Sequence, residues 1–567
     1  MKHNVIRIKD EHGRIKVSNE DNANELNTFF ESVFTNEDDA DNINLNEDYS
    51  EKLPYKGKTS NVKISSIVID KDSIFEELKK VDPFKANKKD CIHPRILKEV
   101  SDSIVDPLHT IFNMSMNMGK VPDRWKLGTV TPLHKGGDKH QSKSYRPITL
   151  TSVLCRIMER IMKKSILSHL TDNNLLIDEQ HGFVQKRSCL SNLLLNIEAL
   201  TSIYDRGEPV DELFLDLQKA FDSVPHQRLL YKLKKLGIDG DLLKWISSFL
   251  IGRQQRVAIN GSYSNWCNVR SGVPQGSVLG PILFIMYIND LPEGIKSYCS
   301  IFADDTKVLS RIRTLEDADA LQQDLIAMEE WAGIWKLKFN PMKCHVLHIG
   351  KKNPRYLYHL NGHLLPEVTS EKDLGIMINH DLKCEINTLY QAQKANKMLG
   401  IIRRTFSYLN KDSFLMLYKT YVRPHLEYGQ QALHPYLAKD TECLEKVQRR
   451  ATKLVQCLEH LPYEQRLKEL GLYSLYDRRV RADMLTVYKI IHGDIDIKMD
   501  GILQFDKHTD TRGHNFKLAM PKRCNTDIRR NAFSYRVVAP WNKLHINIVN
   551  SLNPQEFKRS YDKHMLK

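Results

Sequence analysis

Three aspartates stand where an acid needs a physical reason to be. Asp216 lies inside the apolar, strand-like segment LFLDL (213–217) and is followed by Lys219-Ala220-Phe221-Asp222. Asp304 and Asp305 are adjacent, between the apolar stretches SIF and VLS. A carboxylate on a buried strand is costly unless a cation or hydrogen bonds compensate it. Neighbouring carboxylates also repel without a counter-charge. A divalent-metal site built from carboxylates on neighbouring strands would resolve both costs. Mg²⁺ takes oxygen ligands and keeps waters and substrate phosphates in its shell. Two such ions about 3.5–4 Å apart can activate a primer 3′-hydroxyl and stabilise a leaving pyrophosphate. Taken singly, a strand Asp is commonly a satisfied edge residue and an Asp-Asp pair a solvated turn. The combination carries the weight.

The elements that must hold these residues follow from hydrophobic spacing. Residues 213–217 read as a strand. Pro225 starts a helix through Leu229, Leu230 and Leu233. Gln255 to Trp266 reads as a hairpin, because Asn260-Gly261 sits between alternating segments. Residues 277–289 are apolar enough for a buried helix, and 298–309 form a second hairpin with Ala303-Asp304-Asp305 at its tip. A long helix carries Leu321, Leu325, Met328, Ala332 and Trp335 on one face, a core stripe. A further Asn-Gly turn falls at 361–362. Upstream, helical spacing recurs from Val153 to Met162 and from Leu190 to Ile197. LNTFFESVF (26–34) reads as a short amphipathic helix, and the acidic run 36–51 as a linker. Beyond about residue 386 the pattern is helical and basic, which gives a mixed α+β body followed by a helical appendage.

The 567 residues carry 84 Lys and Arg against 70 Asp and Glu, a net charge of +14. The excess is uneven: −5 over residues 1–60, +6 over 61–380 and +13 over 381–567. A basic carboxyl-terminal third suits a polyanion such as nucleic acid. A well-solvated surface would carry the same charge. Ten scattered cysteines, with no Cys-x-x-Cys or compact Cys/His cluster, read as reduced thiols rather than a zinc site or disulfide framework. The longest apolar run, Pro281 to Ile288, is far short of the ~18–20 residues of a membrane span. The first residues lack a secretory signal. An intracellular protein with no membrane partner is expected.

The order YRPITLTSVLCRIMERI (145–161), HGFVQKRSCLSNLL (181–194), FLDLQKAFDSV (214–224), GVPQGSVLGPILFIMYINDLP (272–292), FADD (302–305), FNPMKCHVLHIG (339–350) and KDLGIMI (372–378) resembles the reverse transcriptase of non-LTR, LINE-type retrotransposons, above all the Jockey-like elements. The leader and the tail (KANKMLGIIRR, LYKTYVRPHLEYG, APWNKL) are similar to such elements too.

The resemblance implies a set of roles. Asp216, Asp304 and Asp305 would be the catalytic carboxylates for two Mg²⁺ ions, with Mn²⁺ as a substitute, and the Leu217 carbonyl a further metal ligand. Phe221 would occupy the steric-gate position that rejects a ribose 2′-hydroxyl. Lys135 and Arg146 would hold the incoming triphosphate, for which a basic fork is well suited. Gln275 and Gly276 would pack on the nascent base pair, glycine permitting close backbone approach. Lys343 would be the general acid towards pyrophosphate. Asp222 would lie outside the triad, as a cap or turn residue. His181 and Lys186 depart from the family's usual residue types in their segment.

The implied fold is α+β, a right-hand polymerase with an antiparallel palm sheet and a helical basic carboxyl-terminal region. The boundaries read are an acidic leader over 1–64 and a reverse transcriptase domain over 113–379. A thumb follows over 386–480 and a basic tail over 481–567. Fingers would fill 65–205 and the palm 206–380, with Lys394, Lys397, Arg403 and Arg404 of the thumb along a duplex backbone. The tail carries Arg529, Arg530 and Trp541 without a legible mechanism. The expected partners are an RNA template, a DNA primer and dNTPs, and no endonuclease signature is read in these residues. Nuclear action is expected by family analogy. The alternatives are an inert or co-opted nucleic-acid-binding remnant and, disfavoured by Phe221, an RNA-dependent RNA polymerase.

Overall fold

The computed structural model describes residues 6–10, 12–37, 51–84, 92–498, 502–506 and 514–565. Most of the segment read as a linker, 36–51, lies outside the described residues. In chain order the strands are β1 (Leu127–His134), β2 (Tyr145–Leu150), β3 (Val210–Asp216), β4 (Gln254–Ile259), β5 (Ser262–Tyr263), β6 (Cys267–Asn268) and β7 (Tyr298–Phe302). They continue with β8 (Asp305–Arg311), β9 (His345–Ile349), β10 (His359–Leu360), β11 (His363–Leu364), β12 (Glu367–Val368), β13 (Ser370–Asp373) and β14 (Ile376–Asn379). Two compact units share the chain. The first holds residues 1–183, 216–295 and 325–340, and the second holds 184–215, 296–324 and 341–567.

In the first unit a sheet runs β2-β1-β4-β5, with β6 also paired to β4. β1 pairs antiparallel with β2 and parallel with β4. The β4–β5 hairpin turns at Asn260 and Gly261, both with positive φ, as a two-residue primed turn requires. The leader helix is longer at its start than its apolar residues predict. It runs Asn19–Glu31 behind a Ser18 cap, and ends before Phe34. Asn22 hides its start in the sequence, since a buried polar group reads as loop, whereas Asn27 falls inside the stretch read as helix. Tertiary bonds satisfy both: the Ile8 N–H donates to Asn22 Oδ1 (2.6 Å), and Asn27 Nδ2 donates to the Asn265 carbonyl (3.0 Å). Ala23, Leu26 and Phe30 on this helix share a core with Val130, Tyr145, Val257 and Ile259.

The second unit is organised by the sheet β12-β9-β3-β8-β7. β3–β9 and β7–β8 are antiparallel, and β12–β9 is a parallel pair. β3 is buried at every position before its last. Its two inner carboxylates are treated differently, Asp211 fully partnered and Glu212 bonded through one oxygen only. Asp211 accepts from Tyr358 Oη (2.6 Å) and Asn353 Nδ2 (2.7 Å) and pairs with His348 Nδ1 (2.6 Å). Glu212 accepts from Asn196 Nδ2 (2.7 Å), and burial still pushes its pKa up to about 7.

Within this unit the last helices are no appendage to the sheet. Met484 and Val487 of helix Leu475–Ile491, with Trp541 and Phe557, share one hydrophobic core with Val210, Phe214 and Leu347 of β3 and β9. Arg529 pairs with Glu198 at 2.5 Å. Trp541, a residue without a legible role, is fully buried. A basic sequence concealed an apolar inner face, because most of the charged residues lie on the outer side of the helices, buried Arg479 and Asp483 being exceptions. Among the described residues no helix is long and apolar enough to cross a membrane.

Candidate active site

In the first unit the box after β3 is turned by Lys219, whose φ of 50° starts the short helix Ala220–Ser223. Phe221 stacks on Phe284, ring centroids 4.4 Å apart, and meets Phe183 edge-on at 6.4 Å. The loop containing Pro274-Gln275-Gly276 is laced to this box. The Gly272 N–H donates to the Val224 carbonyl, and the Val273 N–H to the Phe221 carbonyl, each at 2.8 Å. Ser271 Oγ donates to the Asp222 carbonyl (2.7 Å), and Gln275 Nε2 to Asp222 Oδ1 (2.8 Å). On its other side the Thr149 N–H donates to the Gln275 carbonyl (2.7 Å).

Two glycines are obligatory there. A Cβ on Gly272 (φ 86°) would stand 2.7 Å from Asp222 backbone, and one on Gly276 (φ 112°) 2.6 Å from the Thr149 carbonyl oxygen. The same loop feeds the buried helix Gly280–Tyr287. Its entry is held by Glu159, which accepts the N–H groups of Val278 (2.7 Å) and Leu279 (3.0 Å). Glu159 is fully buried, and desolvation raises its pKa. The sequence reading missed Glu159. A lone Glu at a buried helical position (between Met158 and Ile161) is the signal that could have found it.

Asp222, Gln275, Gly272, Pro147 and Thr149 line an open cleft of about 460 Å³. Nearby, Arg146 of β2 faces Leu133 of β1 across the ladder, and the Lys135 N–H extends that ladder to the Ser144 carbonyl (2.9 Å). Opposed residues share a face and the pleat repeats every second residue. Lys135 and Arg146 therefore lie on one exposed face of the hairpin, as a basic fork would need. Leu217 forms an antiparallel bridge with Phe339. The bonds of that bridge are made by its flanks, Gln218 N–H to the Lys338 carbonyl (2.7 Å) and Asn340 N–H to the Asp216 carbonyl (2.8 Å). The Leu217 carbonyl is not used in that bridge.

In the second unit the β7–β8 hairpin closes between Phe302 and Asp305, with Ala303 (φ 56°) and Asp304 as the turn. Asp305 thus opens β8 and is exposed, while Asp304 is half-buried in the turn. Asn192 clamps the hairpin from helix Cys189–Asp205, its Nδ2 donating to Ser300 Oγ (2.8 Å) and to the Ile301 carbonyl (3.2 Å). Lys307 Nζ donates to Asn192 Oδ1 (2.7 Å) and pairs with Asp373 (2.6 Å), so this cation is fully matched. Past the far end of β8 the Ile312 N–H donates to the Pro209 carbonyl (2.9 Å), just before β3. β3 and β8 are therefore antiparallel, and the same register brings Leu215 level with Thr306. Within the second unit the Leu215 end of β3 and the hairpin of Asp304 and Asp305 lie at one end of the sheet. Lys343 is exposed on the 3₁₀ turn Pro341–Lys343, ahead of β9. Among the described residues no three His, Cys, Asp or Glu side chains form a preset metal cage.

Residues 134–402 match the family model of the reverse transcriptase (RNA-dependent DNA polymerase). Within that class the chain is similar to polymerases of mobile elements. It is 28% identical over 410 residues to a probable RNA-directed DNA polymerase from transposon X-element of Drosophila melanogaster, covering 69% of this chain and 44% of that protein. It is 29% identical over 401 residues to the RNA-directed DNA polymerase from mobile element jockey of the same organism, covering 68% and 43%. A retrovirus-related Pol polyprotein from type-1 retrotransposable element R2 of Popillia japonica is 29% identical over 223 residues, 37% of this chain and 30% of the relative. The chain spans less than half the length of these relatives.

Proposed function

We propose that this chain is the RNA-directed DNA polymerase of a non-LTR retrotransposon, extending a DNA primer with dNTPs on an RNA template. The observation that carries the reading is the antiparallel register of β3 and β8. Within the second unit it sets the hairpin of Asp304 and Asp305 at the Leu215 end of β3. Asp216, Asp304 and Asp305 would hold two Mg²⁺ ions, with Mn²⁺ able to replace them, and the Leu217 carbonyl would add a ligand. An open set of Asp oxygens fits Mg²⁺, which favours one or two carboxylates plus substrate phosphates over an all-protein cage. When bound, the ions supply activation of the 3′-hydroxyl and charge neutralisation at the pyrophosphate.

The chain's own residues do the rest by positioning. Lys135 and Arg146 would bind the triphosphate from one face of the β1–β2 hairpin. Phe221, braced by Phe284, would stand against the sugar at its 2′ position. Gln275 and Gly276 would pack on the nascent pair, and Lys343 would protonate the leaving pyrophosphate. Fingers over 65–205, a palm over 206–380 and a thumb over 386–480 belong to the same reading, as does a nuclear site of action.

The test is primer extension on poly(A)/oligo(dT) with Mg²⁺. The wild-type chain is expected to synthesise DNA and Asp304→Asn to lose that synthesis. Wild-type synthesis no greater than that of Asp304→Asn would overturn the reading in favour of a nucleic-acid-binding remnant.

A further inference from the structure

Asp222 follows the steric-gate ring directly, yet it belongs to no catalytic set, and from the sequence it is only a cap or turn residue. The structure gives its carboxylate a specific task. Its backbone is pinned from two sides, the N–H donating to the Lys219 carbonyl (2.9 Å) and the carbonyl accepting from Ser271 Oγ (2.7 Å). Its side chain is thereby aimed into the cleft it lines with Gln275. There Oδ1 accepts the Gln275 Nε2 hydrogen at 2.8 Å.

A carboxylate can only accept, so this partner decides which way round the Gln275 amide sits. The amide nitrogen faces Asp222, and its oxygen is the end left uncommitted by that bond. The backbone of Gln275 is held independently by the Thr149 N–H. The loop position therefore does not need Asp222, whereas the orientation of the amide does.

We infer that Asp222 is a positioning residue of the polymerase, whose carboxylate orients the Gln275 side chain for the nucleotide pair being formed. This rests on the reading of the chain as a polymerase. A solvated glutamine samples several rotamers, and a bond to an ionised acceptor holds one of them. The predicted consequence is selective: nucleotide binding weakens while the chemical step is spared.

The experiment is single-nucleotide extension by the full chain with D222A, D222N, Q275A and the D222A/Q275A double variant, each checked for its Tm. D222A is expected to raise KM for the dNTP about tenfold with kcat within about twofold of wild type. Q275A should do the same, and the double variant should be no worse than either single one. D222N keeps an acceptor oxygen and should restore KM to within about threefold of wild type. Should D222A fail to fold, Q275E and D222N/Q275E carry the test. Gln275→Glu sets two carboxylates against each other, and adding Asp222→Asn supplies a donor to face the new acceptor, so the double variant should bind nucleotide better than Q275E. Losses that multiply in the double variant, a loss confined to kcat, or D222N as damaged as D222A would overturn the inference. So would D222N/Q275E binding no better than Q275E. A wild-type chain that does not extend primers would instead fail the polymerase reading.

Discussion

The Phe221 ring lies flat against Phe284, with centroids 4.4 Å apart and planes 20° from parallel. Phe284 is fully buried in the helix Gly280–Tyr287, so the half-buried Phe221 is braced from the core side by a ring that cannot yield. The proposed gate role needs this support, because a free side chain would swing away from a 2′-hydroxyl at little cost. Phe221→Ala should raise the ratio of rNTP to dNTP incorporation by about tenfold or more, roughly 1.4 kcal/mol of discrimination. Phe284→Ala, which touches no substrate in this reading, should relax the same ratio more weakly. Competitive incorporation assays check both, and an unchanged ratio in Phe221→Ala would remove it from the gate.

The shared face of Lys135 and Arg146 makes a second prediction. Neutralising either should raise KM for the dNTP about tenfold while kcat changes less, with Arg146→Lys only partly rescuing the bidentate geometry. Steady-state kinetics at two salt concentrations checks this. A loss confined to kcat would place these residues elsewhere in the cycle.

A third concerns acid. His226 is buried, its Nε2 is 2.8 Å from the Gly272 carbonyl, and burial lowers its pKa from 6.5 to about 4. The unfolded imidazole takes up a proton near 6.5 and the folded one only near 4. The unfolded state thus binds more protons in that window, and stability rises with pH across it. The contribution is complete above about pH 6.5 and is lost as the pH falls towards 4, about 3 kcal/mol in all. His226→Gln keeps a donor for the Gly272 carbonyl without titrating. Urea unfolding at pH 4.5 and 7 should show a smaller acid loss in that variant than in the wild type, and equal losses would exclude His226 as the source.

The tail makes the fourth. Trp541 is fully buried, donates its indole N–H to the Phe516 carbonyl (2.8 Å) and lies near-parallel to Phe557. Trp541→Ala should cost about 3–5 kcal/mol. Arg529→Met, which strands buried Glu198, should cost a similar amount, and adding Glu198→Gln should return part of it. Chemical denaturation measures each. A change under 1 kcal/mol in Trp541→Ala would show that the tail is not part of this core.

Much of the local structure is legible because it is written in neighbours. Asn260-Gly261 turns its hairpin since only residues tolerant of positive φ fit a primed turn. The helix after Pro225 and the buried helix near 280 follow from spacing and apolarity. The hairpin tip comes out one residue tighter than expected, because Asp305 pairs with Phe302 and joins the strand. The leader helix is understated at its start, because the polar Asn22 is satisfied by the Ile8 N–H, a partner outside its own helix.

By itself the sequence determined which residues can do chemistry. Carboxylates set in apolar strands, a ring after a short turn and a glycine-bearing loop keep their types and order whatever the fold. Only the tertiary structure decided how they are supported. It sets β3 antiparallel to β8, bonds Gln275 to Asp222, hangs a helix entry on Glu159 and folds the basic tail into the core of the second unit. The physical reason is that periodicity and turn chemistry act over a few residues. Strand register and the matching of buried polar groups join residues tens to hundreds of positions apart, and no local pattern records which partner each will find.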